Sequence, residues 1–241
     1  MATATLTKSG DIAVIRLAHP PVNALAQGVR QGIQDGVAAA NADPSIKAIV
    51  VTGEGRAFSA GADITEFRSG PKPPGLGEVI DTMEASAKPV VAALNGLALG
   101  GGLEVALGCH YRVASKAANQ LGLPEVKIGI LPGAGGTQRL PRIIGVEAAL
   151  DMIVSGNPIN AEKAAKVGLV DRLVEATSST ARSPSRASWS PPAKARGRAV
   201  RRASIRRACR PISSPRSALR SRVILPGPWR QKTALPQSRR P

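Results

Sequence analysis

The chain has 241 residues with 33 Lys+Arg against 16 Asp+Glu, a formal charge of +17 that is confined to one end. Residues 1–175 carry 16 basic and 16 acidic side chains and are neutral, whereas residues 176–241 hold the other 17 basic side chains and no acid. No stretch is apolar enough to span a membrane, Met1 to Gly10 lacks the apolar run of a signal peptide, and Cys109 and Cys209 alone exclude a disulfide framework or a zinc-type spacing, so a cytoplasmic protein is expected.

Residues 1–175 are long enough to bury a core and read as one domain. Asp11-Ile-Ala-Val-Ile-Arg-Leu17 is a β-rich run stopped by His19-Pro-Pro21, and it predicts the first strand. Leu25, Val29, Ile33 and Val37 recur every fourth position and predict a helix, which Gly28, Gly32 and Gly36 weaken, so packing must hold it. Lys47 to Thr52 and Lys88 to Leu94 are short continuous apolar runs, as in strands buried on both faces. Strands alternating with helices give an α/β fold class. His19 and His110 stand isolated in the sequence, and His110 after an apolar stretch reads as a packed, hydrogen-bonded residue.

Gly100-Gly-Gly102 follows the third of these strands and precedes Leu103-Glu-Val-Ala-Leu-Gly108, so a helix is expected to begin there. Bare glycines let a ligand oxygen approach the main chain, and the helix N-terminus adds partial positive charge. The amide of Gly101 is thus a candidate oxyanion donor, although three glycines at such a turn also serve tight packing. Glu104, flanked by Leu103, Val105, Ala106 and Leu107, is expected to be buried, with its proton affinity raised to suit proton transfer. Its structural alternative is a helix-terminal acid that complements the dipole. Glu125 follows Pro124 and precedes an irregular apolar loop through Thr137 of the kind that lines a pocket; its alternative is a surface loop acid. Carboxylates that move protons beside amides that hold an oxyanion make an acyl-chemistry site. Neither Gly53-Glu-Gly55 nor Gly133-Ala-Gly-Gly136 completes a dinucleotide fingerprint, and no Walker-type loop occurs, so neither NAD nor ATP is indicated.

Five ordered segments, Leu17-Ala-His-Pro-Pro-Val-Asn-Ala-Leu25, Ala57-Phe-Ser-Ala-Gly-Ala-Asp-Ile64, Ala98-Leu-Gly-Gly-Gly-Leu-Glu104, Gly122-Leu-Pro-Glu125 and Leu131-Pro-Gly-Ala-Gly-Gly-Thr-Gln-Arg139, together resemble the crotonase, or enoyl-CoA hydratase/isomerase, superfamily. The 101–112 segment is most similar to the hydratase part of multifunctional β-oxidation enzymes. The resemblance implies a crotonase-like spiral of ββα repeats, assembly as a homotrimer or hexamer, and a coenzyme A thioester as substrate with no separate cofactor or metal. Carried over motif by motif, the amides of Ala60 and Gly101 form the oxyanion hole, Ala60, Gly61, Ala62 and Asp63 lie beside bound CoA, and Glu104 and Glu125 are the catalytic acids. The implied reaction is hydration of a trans-2-enoyl-CoA. A 3,2-trans-enoyl-CoA isomerase, which needs one acid in the Glu125 position, is the alternative. Asp63 is equally read as an Asx-type turn. Tyr111 and Arg112 read as structural, and Arg56, Arg68 and Lys72 are candidates for the CoA phosphates.

The segment from Ile159 to Val174 still resembles the family; from Ala176 onward Ser, Arg, Pro and Ala dominate. That composition predicts a disordered tail that binds nucleic acid non-specifically, with Trp189 and Trp229 too far apart to form a stacking platform. An abrupt, acid-free switch is also what a shifted reading frame produces. On that alternative the chain is an inactive truncated or frameshifted paralogue, because the family's later helices, which cover the acyl pocket and build the trimer, are replaced.

Overall fold

The computed structural model describes residues 3–66, 70 and 72–175. The basic segment from residue 176, with its expected disorder, the domain boundary at 175, Cys209, Trp189 and Trp229, and also Arg68, lie outside the described residues.

A hairpin of β1 (Thr3–Ser9) and β2 (Ile12–Ala18) opens the chain, with Ser9 opposite Ile12 across Gly10-Asp11. The strand expected first, from Asp11, is β2, and β1 precedes it. Strand β1 is largely exposed on a sheet edge and has no apolar run; its signals were Thr3, Thr5 and Thr7 at period two and a two-residue Gly-Asp turn. Helix α1 (Gln27–Ala42) follows and buries Val29, Ile33 and Val37, three of the four residues that predicted it. Its glycines have a use beyond weakening it. A Cβ on Gly32 would stand 2.6 Å from the carbonyl oxygen of Ala4, so the helix reaches the β1 backbone only because none is present.

The rest of the core is built by repetition. Strand β3 (Ala48–Gly53) is followed by β4 (Ala57–Ser59) and α2 (Leu76–Glu84); β5 (Val90–Leu94) by β6 (Leu97–Leu99) and α3 (Gly101–Gly108); β7 (Tyr111–Ser115) by β8 (Leu121–Gly122) and a 3-10 turn (Glu125–Ile128). In each repeat the first strand joins a six-stranded sheet of order β1-β2-β3-β5-β7-β9, parallel beyond the hairpin, and the second joins a three-stranded parallel sheet of order β4-β6-β8. This is the spiral of ββα units that the resemblance implied. Helices α4 (Gly136–Ile144), α5 (Val146–Ser155) and α6 (Ala161–Lys166) and the edge strand β9 (Arg172–Val174) complete it.

Strands β3 and β5 are buried along nearly their whole length, as continuous apolar runs require. Each of Ile49, Val51, Val90 and Leu94 removes apolar surface worth about 1.5–3 kcal/mol. Arg112 is fully buried and donates to the carbonyls of Ala106, Cys109 and Leu169 while pairing with Asp171 at 3.5 Å. It closes the C-terminal end of α3, where carbonyls would otherwise lack donors, against the approach to β9. The structural reading of Arg112 therefore holds. His110 is likewise a hydrogen-bonded packing residue, its Nδ1 accepting from the amide of Val90.

Candidate active site

The small sheet brings the motif segments together. Strand β4 delivers residues 60–63 from its end, and β6 delivers Gly100 and the start of α3 beside it, because β4 and β6 are hydrogen-bonded neighbours. Gly61 has φ +105°, which side chains rarely adopt, and a Cβ there would lie 2.9 Å from the carbonyl oxygen of Leu99 and 3.2 Å from the amide nitrogen of Gly101. Its own carbonyl accepts from the amide of Leu25, which fixes the loop from its other side.

One expected donor does not survive this geometry. The amide of Ala60 donates to the carbonyl of Val22 at 2.9 Å, and that of Gly61 donates to Oγ of Ser59, so both serve the fold. The Val22 contact is long-range and leaves no trace in sequence. Ala62 and Gly101 are different. Their amides have no hydrogen-bond partner among the described residues, and a Cβ on Gly101 would sit only 3.4 Å from the Ala62 nitrogen. Of the expected pair, Gly101 keeps a free amide, and the second free amide nearby belongs to Ala62. Asp63 accepts from both the amide and the hydroxyl of Thr65 through Oδ1, which holds its carboxyl below the usual range. The Asx-turn reading accounts for it.

Glu104 sits in the first turn of α3, only 3% exposed. Its Oε1 accepts from the amides of Ala134 and Gly136, both at 2.8 Å. Burial raises its proton affinity, and those two amides together with the positive charge of Arg139 oppose the rise. Glu125 opens the 3-10 turn at 8% exposure, and its Oε2 is buried with no hydrogen-bond partner. Burial raises its proton affinity too, and the negative charge of Glu104 adds to the rise, while its own amide opposes it.

Gly100 lies between them and the free amides. Its φ of +52° with ψ −128° turns the chain from β6 into α3, and a Cβ there would approach Oε1 of Glu125 to 3.2 Å. The glycine run thus does more than permit packing, since it keeps an acid and a helix N-terminus adjacent. Of the candidate phosphate ligands, Lys72 is exposed and Arg56 is exposed on the turn before β4, and neither approaches the acids in any contact found here.

Two residues that sequence reasoning left without a role organise these segments. Arg139 on α4 donates through Nη1 to the carbonyl of Ala134 and through Nε and Nη2 to Glu84, with Nη2 also reaching Asp81 on α2. Arg30 on α1, 5% exposed, donates to the carbonyls of Leu25, Lys72 and Pro74 and pairs with Glu66 at 2.9 Å. Glu66 in turn accepts from the amide of Gln27 at the start of α1. The terminal arginine of the 131–139 motif was a visible signal for the first; Arg30, one base on a helix, offered none.

Comparison with known proteins agrees with this architecture. The family model described as enoyl-CoA hydratase/isomerase matches residues 7–187, reaching beyond the described part of the chain. A peroxisomal bifunctional enzyme of Danio rerio is 52% identical over 165 residues, covering 68% of this chain and 23% of that protein. A peroxisomal fatty acid beta-oxidation multifunctional protein of Arabidopsis thaliana is 46% identical over 175 residues, covering 68% of this chain and 24% of that protein. The chain thus spans about a quarter of the length of these curated relatives. Among solved structures, an enoyl-CoA hydratase from Bacillus anthracis is 35% identical with a TM-score of 0.67, covering 72% of this chain and 70% of that one. With the motif segments gathered at one end of a ββα spiral and the family match running through all of them, the chain belongs to the enoyl-CoA hydratase/isomerase family.

Proposed function

We propose that the chain hydrates trans-2-enoyl-CoA thioesters to 3-hydroxyacyl-CoA, as a step of fatty-acid β-oxidation. The observation that carries this is the presence, in one place, of two buried carboxylates, Glu104 and Glu125, and two unpartnered amides, those of Ala62 and Gly101. The thioester oxygen binds between the amides. Each such donor is typically worth about 3 kcal/mol to a developing oxyanion.

Differences in environment divide the labour between the acids. Glu104, with two amides on Oε1 and the Arg139 charge nearby, is the better stabilised carboxylate and takes a proton from water. Glu125, unpartnered at Oε2 and facing the charge of Glu104, is the better proton donor and delivers its proton to C2. The water oxygen bonds to C3, the alkene electron pair moves into the thioester as an enolate, and the enolate collapses onto the proton from Glu125. Transfer of the captured proton from Glu104 to Glu125 resets the pair. The reading requires no cofactor or metal beyond the CoA of the substrate.

Assembly as a trimer or hexamer is part of the same proposal. So is an aqueous compartment, cytoplasmic or peroxisomal, which fractionation distinguishes; both relatives compared above are named peroxisomal, and no helix among the described residues is long and apolar enough to cross a membrane. The test is crotonyl-CoA hydration by the purified full chain with its size measured in parallel. Glu104→Gln and Glu125→Gln are each expected to lower the rate by at least about 100-fold, and a near-normal rate in either overturns the assignment. Isomerase activity that survives Glu104→Gln alone marks the enzyme as an isomerase. Salt-sensitive DNA binding with no hydration identifies instead a non-catalytic protein acting through residues 176–241.

A further inference from the structure

The most connected charged side chain around the two acids touches neither of them. Arg139 is partly buried and divides its guanidinium between two elements: Nε and Nη2 face Glu84, with Nη2 also on Asp81, both on α2, while Nη1 holds the carbonyl of Ala134 at 2.8 Å. The amide of Ala134 donates to Oε1 of Glu104, also at 2.8 Å. Gly135, with φ +93°, makes room for this, since a Cβ there would meet Nη1 at 2.1 Å. One peptide segment therefore carries the arginine's grip on its carbonyl side to the carboxylate on its amide side.

We propose that Arg139 is a positioning residue that fixes the 134–136 amides against Glu104; this rests on the hydratase reading above. Two consequences of the geometry support it. The bidentate pair with Glu84 ties α4 to α2, so the loop entering α4 cannot swing away from α3 without breaking a charge-assisted contact. The positive charge also lies near enough to favour the ionised form of Glu104 against the cost of burial. A lysine can supply the charge, but its single ammonium cannot span Glu84 and the Ala134 carbonyl in the fork geometry of a guanidinium.

The test compares wild type, Arg139→Lys and Arg139→Gln as full chains by two readouts. The first is titration of the Glu104 side-chain carboxyl by carbon-13 NMR, assigned with Glu104→Gln. It needs no activity, so it stands or falls separately from the hydratase reading, which fails if wild type does not hydrate crotonyl-CoA. The second is the pH profile of kcat. Arg139→Gln is expected to move the Glu104 titration and the acidic limb of the profile upward, and to lower kcat by roughly 10- to 100-fold with KM changed less than about threefold. Arg139→Lys is expected to fall between the two in both readouts. An unmoved titration in Arg139→Gln overturns the proposal. If that variant does not fold, Arg139→Lys decides alone, and wild-type behaviour in both readouts overturns it.

Discussion

The amide of Gly136, the first residue of α4, donates to Oε1 of Glu104 at 2.8 Å, so the opening turn of one helix grips a carboxylate carried in the opening turn of another. Two sets of unsatisfied helix-terminal donors, at Gly101 and at Gly136, thereby converge on one site. The first has no partner among the described residues, and the second is occupied by the protein's own acid.

Exchange of single peptide N–H groups for ester oxygens separates the two adjacent donors. An ester at Ala62 is expected to lower kcat for crotonyl-CoA by about 10²–10³ with little change in thermal midpoint, because it deletes an oxyanion donor. An ester at Ala60 is expected to leave kcat within a few-fold and to cost about 1 kcal/mol of stability, because its amide serves Val22. The reverse pattern, read by steady-state kinetics and urea denaturation, returns Ala60 to the oxyanion hole.

Glu125 trades stability for chemistry. Its folded-state proton affinity is raised, so folding favours the protonated form: that stabilisation is complete below the ordinary Glu value of 4.5 and is lost as pH climbs through the raised folded value. Between the ordinary Glu value and that raised value the wild type therefore loses stability as pH rises, because burial penalises the ionised form. Glu125→Gln is expected to be more stable than wild type at pH 7 by about 1 kcal/mol, with the gap closing on acidification, while hydration collapses. Thermal melts across that range check it, and a variant less stable at pH 7 refutes it.

Arg30 ties Glu66, Lys72 and Pro74 to α1, and Glu66 lies four residues after Ala62. Arg30→Gln removes the charge partner of Glu66, which keeps only the Gln27 amide, and the donors to three carbonyls, and a loss of about 3 kcal/mol is expected. In the protein that remains folded, KM for the thioester is expected to rise. Urea denaturation gives the first quantity, kinetics below the new midpoint the second, and a loss under about 1 kcal/mol contradicts the role.

Much of the spiral was readable because β2, β3 and β5 are largely apolar runs and α1 has a clean fourfold period. The short strands β4, β6 and β8 were not, since two or three residues carry no periodicity and exist only through lateral pairing. The acids were legible because Glu104 stands in an otherwise apolar helix start. The proposed oxyanion donor shifts by two residues, from Ala60 to Ala62, for a reason confined to three dimensions: only contact with Val22 tells which amide of a Ser-Ala-Gly-Ala run is already used. Arg139 belonged to a quoted motif, but its partners on α2 lie 55 and 58 residues away in sequence.

Main-chain amides, those of Ala134 and Gly136 on Glu104 and the unpartnered pair at Ala62 and Gly101, make up much of this site, so its inventory is written in the path of the chain more than in its side chains. Replacing the exposed methyl of Ala62 leaves its N–H in place. Deleting one residue between Leu131 and Gly136 removes neither acid, yet it shifts the Ala134 and Gly136 donors relative to Glu104. The site is thus tolerant of spelling and intolerant of length.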